Sequence, residues 1–133
     1  MSTPLAMAIL YIDDDPDDRE TFVEAVRSVD PAIQCETVTD GLEALSYLEL
    51  NKLPDLIVLD INMPLMNGIT CLAEIKGNAE TSHIPVIIFT TSDSRSEMNE
   101  CKKLGAYRCV VKPSTYAEMK IKIASLLNDK LFA

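Results

Sequence analysis

Residues 55–60 read Asp-Leu-Ile-Val-Leu-Asp, a short apolar run that ends on a carboxylate. Two further segments, residues 86–89 and 109–111, are also almost continuously apolar and rich in β-branched residues. Such runs indicate strands that are covered on both faces, because half-exposed antiparallel strands alternate apolar with polar residues. The three segments therefore predict a parallel sheet.

Five strand-like segments alternate along the chain with longer segments whose apolar residues recur at helical spacing. The strands are predicted at residues 8–12, 33–38, 56–59, 86–89 and 107–111. The helical spacing is carried by Phe22, Val26 and Val29, by Leu42, Leu45 and Leu48, by Leu72 and Ile75, by Met98, Cys101 and Leu104, and by Met119, Ile123, Leu126 and Leu127. Asp40 and Asp93 are placed to cap the second and fourth helices. The order predicts an α/β fold, (βα)5, with a doubly wound five-stranded parallel sheet and helices on both faces.

Length and composition are those of a globular protein with one core. The 133 residues are predicted to form a single domain, residues 1–133 with a core of about 7–128, which leaves no room for an output domain. A net charge of -9 is the wrong sign for direct nucleic-acid binding. With no signal peptide, no membrane-spanning segment and no Cys-x-x-Cys pair among four cysteines, we expect a cytoplasmic chain with reduced thiols.

Three carboxylates are predicted to meet at the carboxyl edge of the sheet. Asp13 and Asp14 follow the first strand, and Asp60 ends the third. Parallel strands that flank the point where the strand order reverses deliver their carboxyl ends to one crevice. Three acids packed there would repel one another unless a cation joined them. Mg2+ is the expected cofactor because it takes hard oxygen ligands and needs only one or two carboxylates.

The fourth and fifth strands bring other chemistry to the same edge. Thr90 and Thr91 supply hydroxyls, and Lys112 supplies a cation just before Pro113. A metal, a lysine, a hydroxyl and a backbone N–H together can stabilise a phosphoryl group in transfer, with a carboxylate as the nucleophile. Asp60 is the candidate nucleophile.

The chain resembles the receiver domains of two-component response regulators, the chemotaxis-regulator-like family. Separate motifs carry the resemblance, and they occur in the expected order over residues 7–128. They are Asp13-Asp14, residues 60–68 (Asp-Ile-Asn-Met-Pro-Leu-Met-Asn-Gly), Thr90-Thr91 and Lys112-Pro113. Each motif alone is a weak signal, and their joint order is a strong one.

The resemblance implies a phosphoryl acceptor and a set of metal ligands. Asp60 would accept a phosphoryl group from a histidine kinase, a histidine phosphotransfer protein or a small phosphodonor. Asp14, Asp60 and the main-chain carbonyl of Asn62 would hold Mg2+, with Asp13 acting mainly through water. The chain would catalyse only its own phosphorylation and dephosphorylation, and would not otherwise be an enzyme.

The resemblance also implies how the signal would be passed on. Lys112 would bind a phosphoryl oxygen, and its bond to Pro113 would be cis, as is usual in the family. Thr90 would be the switch hydroxyl, and the backbone N–H of Thr91 would add a donor. An unidentified downstream protein would bind the face made by the fourth helix, fifth strand and fifth helix, which could also form a homodimer.

Two features of the sequence are interpreted separately from the motifs above. Cys109 stands where the family usually has a switch aromatic residue, and Tyr107, on the same side of the strand, could substitute for it. The acidic residues Asp15, Asp17 and Asp18 are interpreted as ordinary complements to the N-terminus of the first helix.

Two other classes of protein share some of these features. An Mg2+-dependent phosphohydrolase with an aspartyl nucleophile would combine similar residues, but that class needs an acid–base aspartate where Asn62 stands. A flavodoxin-like cofactor binder would share the topology, but the acidic loop at residues 13–18 would repel a cofactor phosphate.

Overall fold

A computed structural model describes residues 7–63, 65–91 and 95–128. Within them, five strands and five helices alternate along the chain. The strands are β1 (Ala8–Ile12), β2 (Gln34–Val38), β3 (Leu56–Asp60), β4 (Val86–Thr90) and β5 (Arg108–Val111). The helices are α1 (Pro16–Val29), α2 (Gly41–Leu50), α3 (Gly68–Gly77), α4 (Arg95–Lys103) and α5 (Tyr116–Leu127). The alternation confirms the predicted (βα)5 order.

All strand pairs are parallel, and the sheet order is β2-β1-β3-β4-β5. The chain moves outward from β1 to β2, then returns to the other side of β1 to form β3. The order therefore reverses between β1 and β3, where α/β sheets of this kind hold their ligands. The predicted doubly wound parallel sheet is confirmed.

Alternate residues of the central strands β1, β3 and β4 face two separate cores, one on either side of the sheet. The prediction that residues 109–111 are covered on both faces is wrong, because β5 lies at the edge of the sheet and Val111 is 50% exposed. Leu10 and Ile12 of β1 pack on the side of α2, α3 and α4, whereas Ile9 and Tyr11 pack on the side of α1 and α5. β3 is buried along its whole length, as its uninterrupted apolar sequence predicts. Because helices pack on both faces of the central strands, the residues at the carboxyl ends of these strands are held in fixed positions.

The helix caps explain where three of the helices begin. Asp15 accepts hydrogen bonds from the backbone N–H groups of Asp17 and Asp18 at the start of α1. Asp40 accepts one from the N–H of Glu43 and caps α2 as predicted, and Asn67 caps α3. The predicted cap Asp93 lies outside the described residues.

The helical spacing of Leu42, Leu45 and Leu48 indicates one shared apolar face, which is wrong for Leu42. Its side chain is 51% exposed, and α2 instead buries Gly41, Ala44 and Leu48. Residues at i, i+3 and i+6 spread over about 120° of a helix with 3.6 residues per turn, so Leu42 lies at the margin of the apolar face. None of the helices in residues 7–63, 65–91 and 95–128 has the length and apolar character needed to span a bilayer.

Candidate functional site

Three carboxylates come together at the carboxyl edge of the sheet, as the sequence predicts. Asp13, Asp14 and Asp60 each place one carboxylate oxygen so that all three oxygens lie within 4.8 Å of one another. Ile12 and Leu59 are register partners in adjacent strands, and this pairing brings the residues that follow them side by side. Asp13 and Asp60 are buried, whereas Asp14 is exposed, so the cluster opens to solvent on one side. This set of hard oxygen donors fits a divalent cation such as Mg2+.

The carboxylate of Asp13 accepts hydrogen bonds from three donors. Its Oδ2 accepts a 2.6 Å hydrogen bond from the hydroxyl of Tyr11 and another of 2.6 Å from the Nζ of Lys112. Its Oδ1 accepts a 3.0 Å bond from the backbone N–H of Asp15. Burial, followed by the bond to Asp13, raises the pKa of Tyr11 far above its usual value, so the hydroxyl keeps its proton and donates.

Lys112 is the cationic centre of the site. Besides its bond to Asp13, its Nζ lies 2.7 Å from Asp18 Oδ2 and 3.5 Å from Asp60 Oδ2. The backbone N–H of Lys112 donates to the carbonyl of Thr90 at 2.7 Å, which ties the end of β5 to the end of β4. Burial alone would lower the pKa of Lys112, but its bonds to Asp13 and Asp18 and the charge of Asp60 give a net rise. Lys112 therefore stays charged at any physiological pH.

Asp60 is a buried carboxylate with a raised pKa. Burial is the main cause of the rise, which brings its pKa to about 6. The charge of Lys112 lowers the pKa, and the charge of Asp13 raises it further. The backbone N–H of Asn62 donates to Asp60 Oδ1 at 3.3 Å, which lowers the pKa but does not cancel the rise. Near neutral pH the group is largely ionised and poorly solvated, as suits a nucleophile that attacks an electrophile at this edge.

The loop after β3 folds tightly back against Asp60. Gly68 begins α3, and its N–H donates to the carbonyl of Ile61 at 2.9 Å. A Cβ atom at Gly68 would lie 2.5 Å from the Cα of Ile61 and 2.6 Å from the carbonyl oxygen of Asp60. Only a glycine allows this close approach, so the local sequence of the loop helps to set where Asp60 points.

The two predicted hydroxyl residues differ in their surroundings. Thr90 is the last residue of β4 and is fully buried, whereas Thr91 is exposed. The Oγ1 of Thr91 accepts a 3.2 Å hydrogen bond from the side-chain amide of Asn62, across the mouth of the site. The roles predicted for the Asn62 carbonyl as a metal ligand and the Thr91 N–H as a donor remain predictions. Pro64, Ser92 and Asp93 lie outside the described residues.

Two residues of the site were not predicted. Asp18, interpreted from sequence only as a complement to the helix N-terminus, also pairs with Lys112, so that interpretation is incomplete. Its spacing from Asp13 offered a weak signal, since the first turn of α1 starts beside the end of β1. Tyr11 shares a face of β1 with Asp13 by the two-residue period of a strand, and its hydroxyl needed a partner once buried.

Of the expectations that rest on the resemblance, the cis bond is contradicted, and a switch role for Tyr107 in place of Cys109 stays a prediction. No peptide bond within the described residues is cis, so the expected cis bond between Lys112 and Pro113 is wrong, in line with the general preference for trans. Cys109 is half-buried, packs against the core under α3 and α4, and shares a side-chain hydrogen bond with Cys101 of α4. Tyr107 is 38% exposed beside β5, with the Arg108 guanidinium 5.5 Å from its ring centre.

Comparison with known sequences gives one family. Residues 9–124 match the family described as the response regulator receiver domain. The chain is 33% identical to the chemotaxis protein CheY-3 of Vibrio cholerae over 126 residues, which cover 95% of this chain and 92% of that protein. It is 32% identical to the sensor histidine kinase RcsC of Salmonella typhi over 118 residues, 89% of this chain. The chain spans only 12% of that kinase.

Solved structures agree with the sequence comparison. The Mn2+-bound response regulator Rcp1 superposes with a TM-score of 0.84 at 26% identity, over 94% of each chain. The phosphorylated cyanobacterial phytochrome response regulator RcpA gives a TM-score of 0.86 at 26% identity, over 92% of this chain and 91% of that one. Two similar proteins thus carry a divalent metal and a phosphoryl group respectively.

Proposed function

Because the chain belongs to the response regulator receiver domains of two-component signalling, we propose that its phosphoryl acceptor is Asp60. The donor would be a histidine kinase, a histidine phosphotransfer protein or a small acyl phosphate. A carboxylate oxygen of Asp60 attacks phosphorus, the bond from phosphorus to the donor breaks, and the donor leaves with the electron pair. The product is an aspartyl phosphate.

The observation that carries the proposal is the position of Asp60 between an acid pair and a lysine. Its Oδ2 lies 3.5 Å from the Nζ of Lys112, and a carboxylate oxygen of Asp60 lies within 4.8 Å of oxygens of Asp13 and Asp14. Lys112 can turn from its present partners to a phosphoryl oxygen attached to Asp60. Preorganised cations at the place where charge develops are the main source of catalysis in phosphoryl transfer.

Mg2+ is the proposed cofactor, held by Asp14, Asp60 and the main-chain carbonyl of Asn62, with Asp13 contributing mainly through water. When bound, it offsets the negative charge that the incoming phosphoryl group adds to the acidic cluster. The cluster is accessible to solvent at the exposed Asp14, and the buried Thr90 places a hydroxyl at the end of β4. The Mn2+-bound relative supports a divalent metal at such a site.

The output is proposed to be a change in protein binding. Phosphorylation would shift the chain between two conformations that differ in affinity for a downstream protein. The face formed by α4, β5 and α5 is the proposed surface for that partner or for a homodimer. We place the process in the cytoplasm, where phosphodonors of this kind are made.

Phosphorylation is tested by intact mass spectrometry with acetyl phosphate and Mg2+. The wild-type chain is expected to gain one phosphoryl group, and Asp60→Asn is expected to gain none. Asp55→Asn is a matched control, because Asp55 lies next to the opposite end of β3 and bonds to the N–H of Ala8. Borohydride reduction, which converts an aspartyl phosphate to homoserine, then maps the modified residue. Equal labelling of Asp60→Asn would rule out this acceptor.

The phosphohydrolase alternative receives no support. The family match covers residues 9–124 and is to receiver domains. The side chain of Asn62, which stands where a hydrolase of that class has its acid–base aspartate, is an amide that donates to Thr91. An amide cannot exchange protons with a leaving group or a water molecule near neutral pH.

A further inference from the structure

Tyr11 is a buried tyrosine whose ring and hydroxyl have separate roles. The ring stacks on Phe22 with centroids 3.9 Å apart and planes 5° from parallel, and its edge meets Phe89. A phenylalanine would make the same ring contacts. The hydroxyl, fully buried among apolar side chains, would cost free energy without a partner, and it donates to Asp13 Oδ2 at 2.6 Å. The role of the hydroxyl is therefore its hydrogen bond to Asp13, whereas packing in the core needs only the ring.

Two donors meet on the same oxygen of Asp13. Tyr11 and Lys112 both bond to Oδ2, each at 2.6 Å. Lys112 is a shared donor, since it also contacts Asp18 and Asp60. The hydroxyl of Tyr11 is instead fixed by its ring, which is locked between α1 and the sheet. If Lys112 turns toward another anion, the bond from Tyr11 still orients the buried carboxylate.

We propose that Tyr11 is a positioning residue for the metal-dependent phosphorylation of Asp60, and that it acts by holding the Asp13 carboxylate in the orientation that a divalent cation requires. The inference rests on the proposed function for its place in the reaction. Outer hydrogen bonds of this kind orient metal-binding carboxylates, and their loss typically lowers metal affinity by about 10–100-fold. Tyr11 lies in the apolar core next to the acidic cluster and gives Asp13 such a bond.

The first test compares Mg2+ binding by calorimetry in Tyr11→Phe and Tyr47→Phe, with each variant's thermal unfolding measured alongside. Tyr11→Phe keeps the stacked ring and is expected to bind Mg2+ about tenfold more weakly than the wild type. Tyr47 lies at the opposite, amino end of the strands, beside Ala8, Asn51 and Pro54, and Tyr47→Phe is expected to bind as the wild type does. A folded Tyr11→Phe with wild-type affinity would overturn the proposal.

The second test is spectroscopic and does not depend on replacing Tyr11. The chain has no tryptophan and four tyrosines, so its near-ultraviolet spectrum reports the tyrosines directly. In the triple variant Tyr47→Phe, Tyr107→Phe, Tyr116→Phe, Tyr11 is the sole tyrosine. Adding Mg2+ is expected to change the tyrosine absorption of this variant, because the phenol is bonded to a carboxylate of the cluster. An unchanged spectrum at a saturating Mg2+ concentration would overturn the proposal.

The outcomes separate this inference from the proposed function. If acetyl phosphate fails to label the wild type, the proposed acceptor is wrong, whatever the metal titrations show. If the wild type is labelled but Tyr11→Phe binds Mg2+ with unchanged affinity, only the role of Tyr11 is wrong. Both measurements of metal binding are made on the unphosphorylated chain.

Discussion

Lys112 and Asp18, 94 residues apart in the chain, form a 2.7 Å ion pair. This pair joins the end of β5 to the first turn of α1, and it is shorter than the 3.5 Å contact between Lys112 and Asp60. In the unphosphorylated chain, Lys112 is thus engaged mainly with Asp13 and Asp18. A phosphoryl group on Asp60 would have to compete with these two carboxylates for the same ammonium.

Removing Lys112 should destabilise the protein more than removing its partner Asp18. Lys112→Met leaves the fully buried Asp13 without its cation and is expected to lower the free energy of unfolding by about 3–5 kcal/mol at pH 7 in EDTA. Asp18→Asn removes a partner whose side chain is 41% exposed and is expected to cost less than about 1 kcal/mol. Urea unfolding measures both. Mg2+ should restore part of the loss in Lys112→Met, and equal losses in the two variants would contradict the prediction.

The stability of the metal-free protein should depend on pH through Asp60. Its pKa of about 6 in the folded protein exceeds the usual value of 3.8, so the folded protein binds this proton more tightly than the unfolded chain. The contribution of Asp60 to stability therefore falls as pH rises from about 4 to about 6. Because a tenfold change in proton affinity corresponds to about 1.4 kcal/mol, the full penalty above pH 6 is about 3 kcal/mol.

Asp60→Asn isolates that effect. In EDTA, the variant is expected to match the wild type near pH 4 and to exceed its unfolding free energy by up to about 3 kcal/mol at pH 7. Asp55→Asn, at the opposite end of β3, serves as the control for replacing a carboxylate by an amide outside the acidic cluster. Saturating Mg2+ should reduce the difference at pH 7, because the cation stabilises the ionised wild-type carboxylate. A difference that did not vary with pH would show that Asp60 titrates normally.

Two glycines near the site should respond differently to a methyl group. In Gly68→Ala, the new Cβ meets backbone atoms of Asp60 and Ile61 at 2.5–2.6 Å, and overpacking of this kind costs about 1–3 kcal/mol or more. In Gly41→Ala, the three atoms nearest the new Cβ, each at 3.0 Å, all belong to the side chain of Met66 and none to the backbone, so we expect a smaller loss. Thermal unfolding compares the two. Equal destabilisation would mean that the loop after β3 can move away from Asp60.

The cysteines should be inert in the folded protein. Burial raises the pKa of Cys35, Cys71 and Cys101 to about 12 each, and it also raises the pKa of Cys109. Since the thiolate is the reactive form, an aromatic disulfide reagent at pH 8 should modify the native chain very slowly. All four thiols should react promptly after unfolding in guanidinium chloride. Rapid release of one equivalent from the native chain would identify an unexpectedly exposed thiol.

Much of the fold could be read from local patterns. The uninterrupted apolar segments predicted the buried strands β3 and β4 correctly, but the same pattern at residues 109–111 was misleading, because β5 is an edge strand and Val111 is 50% exposed. The alternation of strand and helix predicted the parallel, doubly wound sheet. The strand ends were less well placed, because β3 and β4 each extend one residue further, to Asp60 and Thr90. These two residues continue the sheet hydrogen bonding of their neighbours, which is a tertiary effect that a single segment does not reveal.

The sequence by itself determined which chemical groups reach the carboxyl edge, because parallel strands end on one side of a sheet and Asp13, Asp14, Asp60 and Lys112 each follow or end a strand. Only the tertiary structure decided how those groups are paired. The bonds from Tyr11 to Asp13 and from Lys112 to Asp18 depend on side-chain directions and on distances between segments far apart in the chain. Periodicity within one segment carries no information about such distances, so these partners emerged only when the strands and the first helix were packed together.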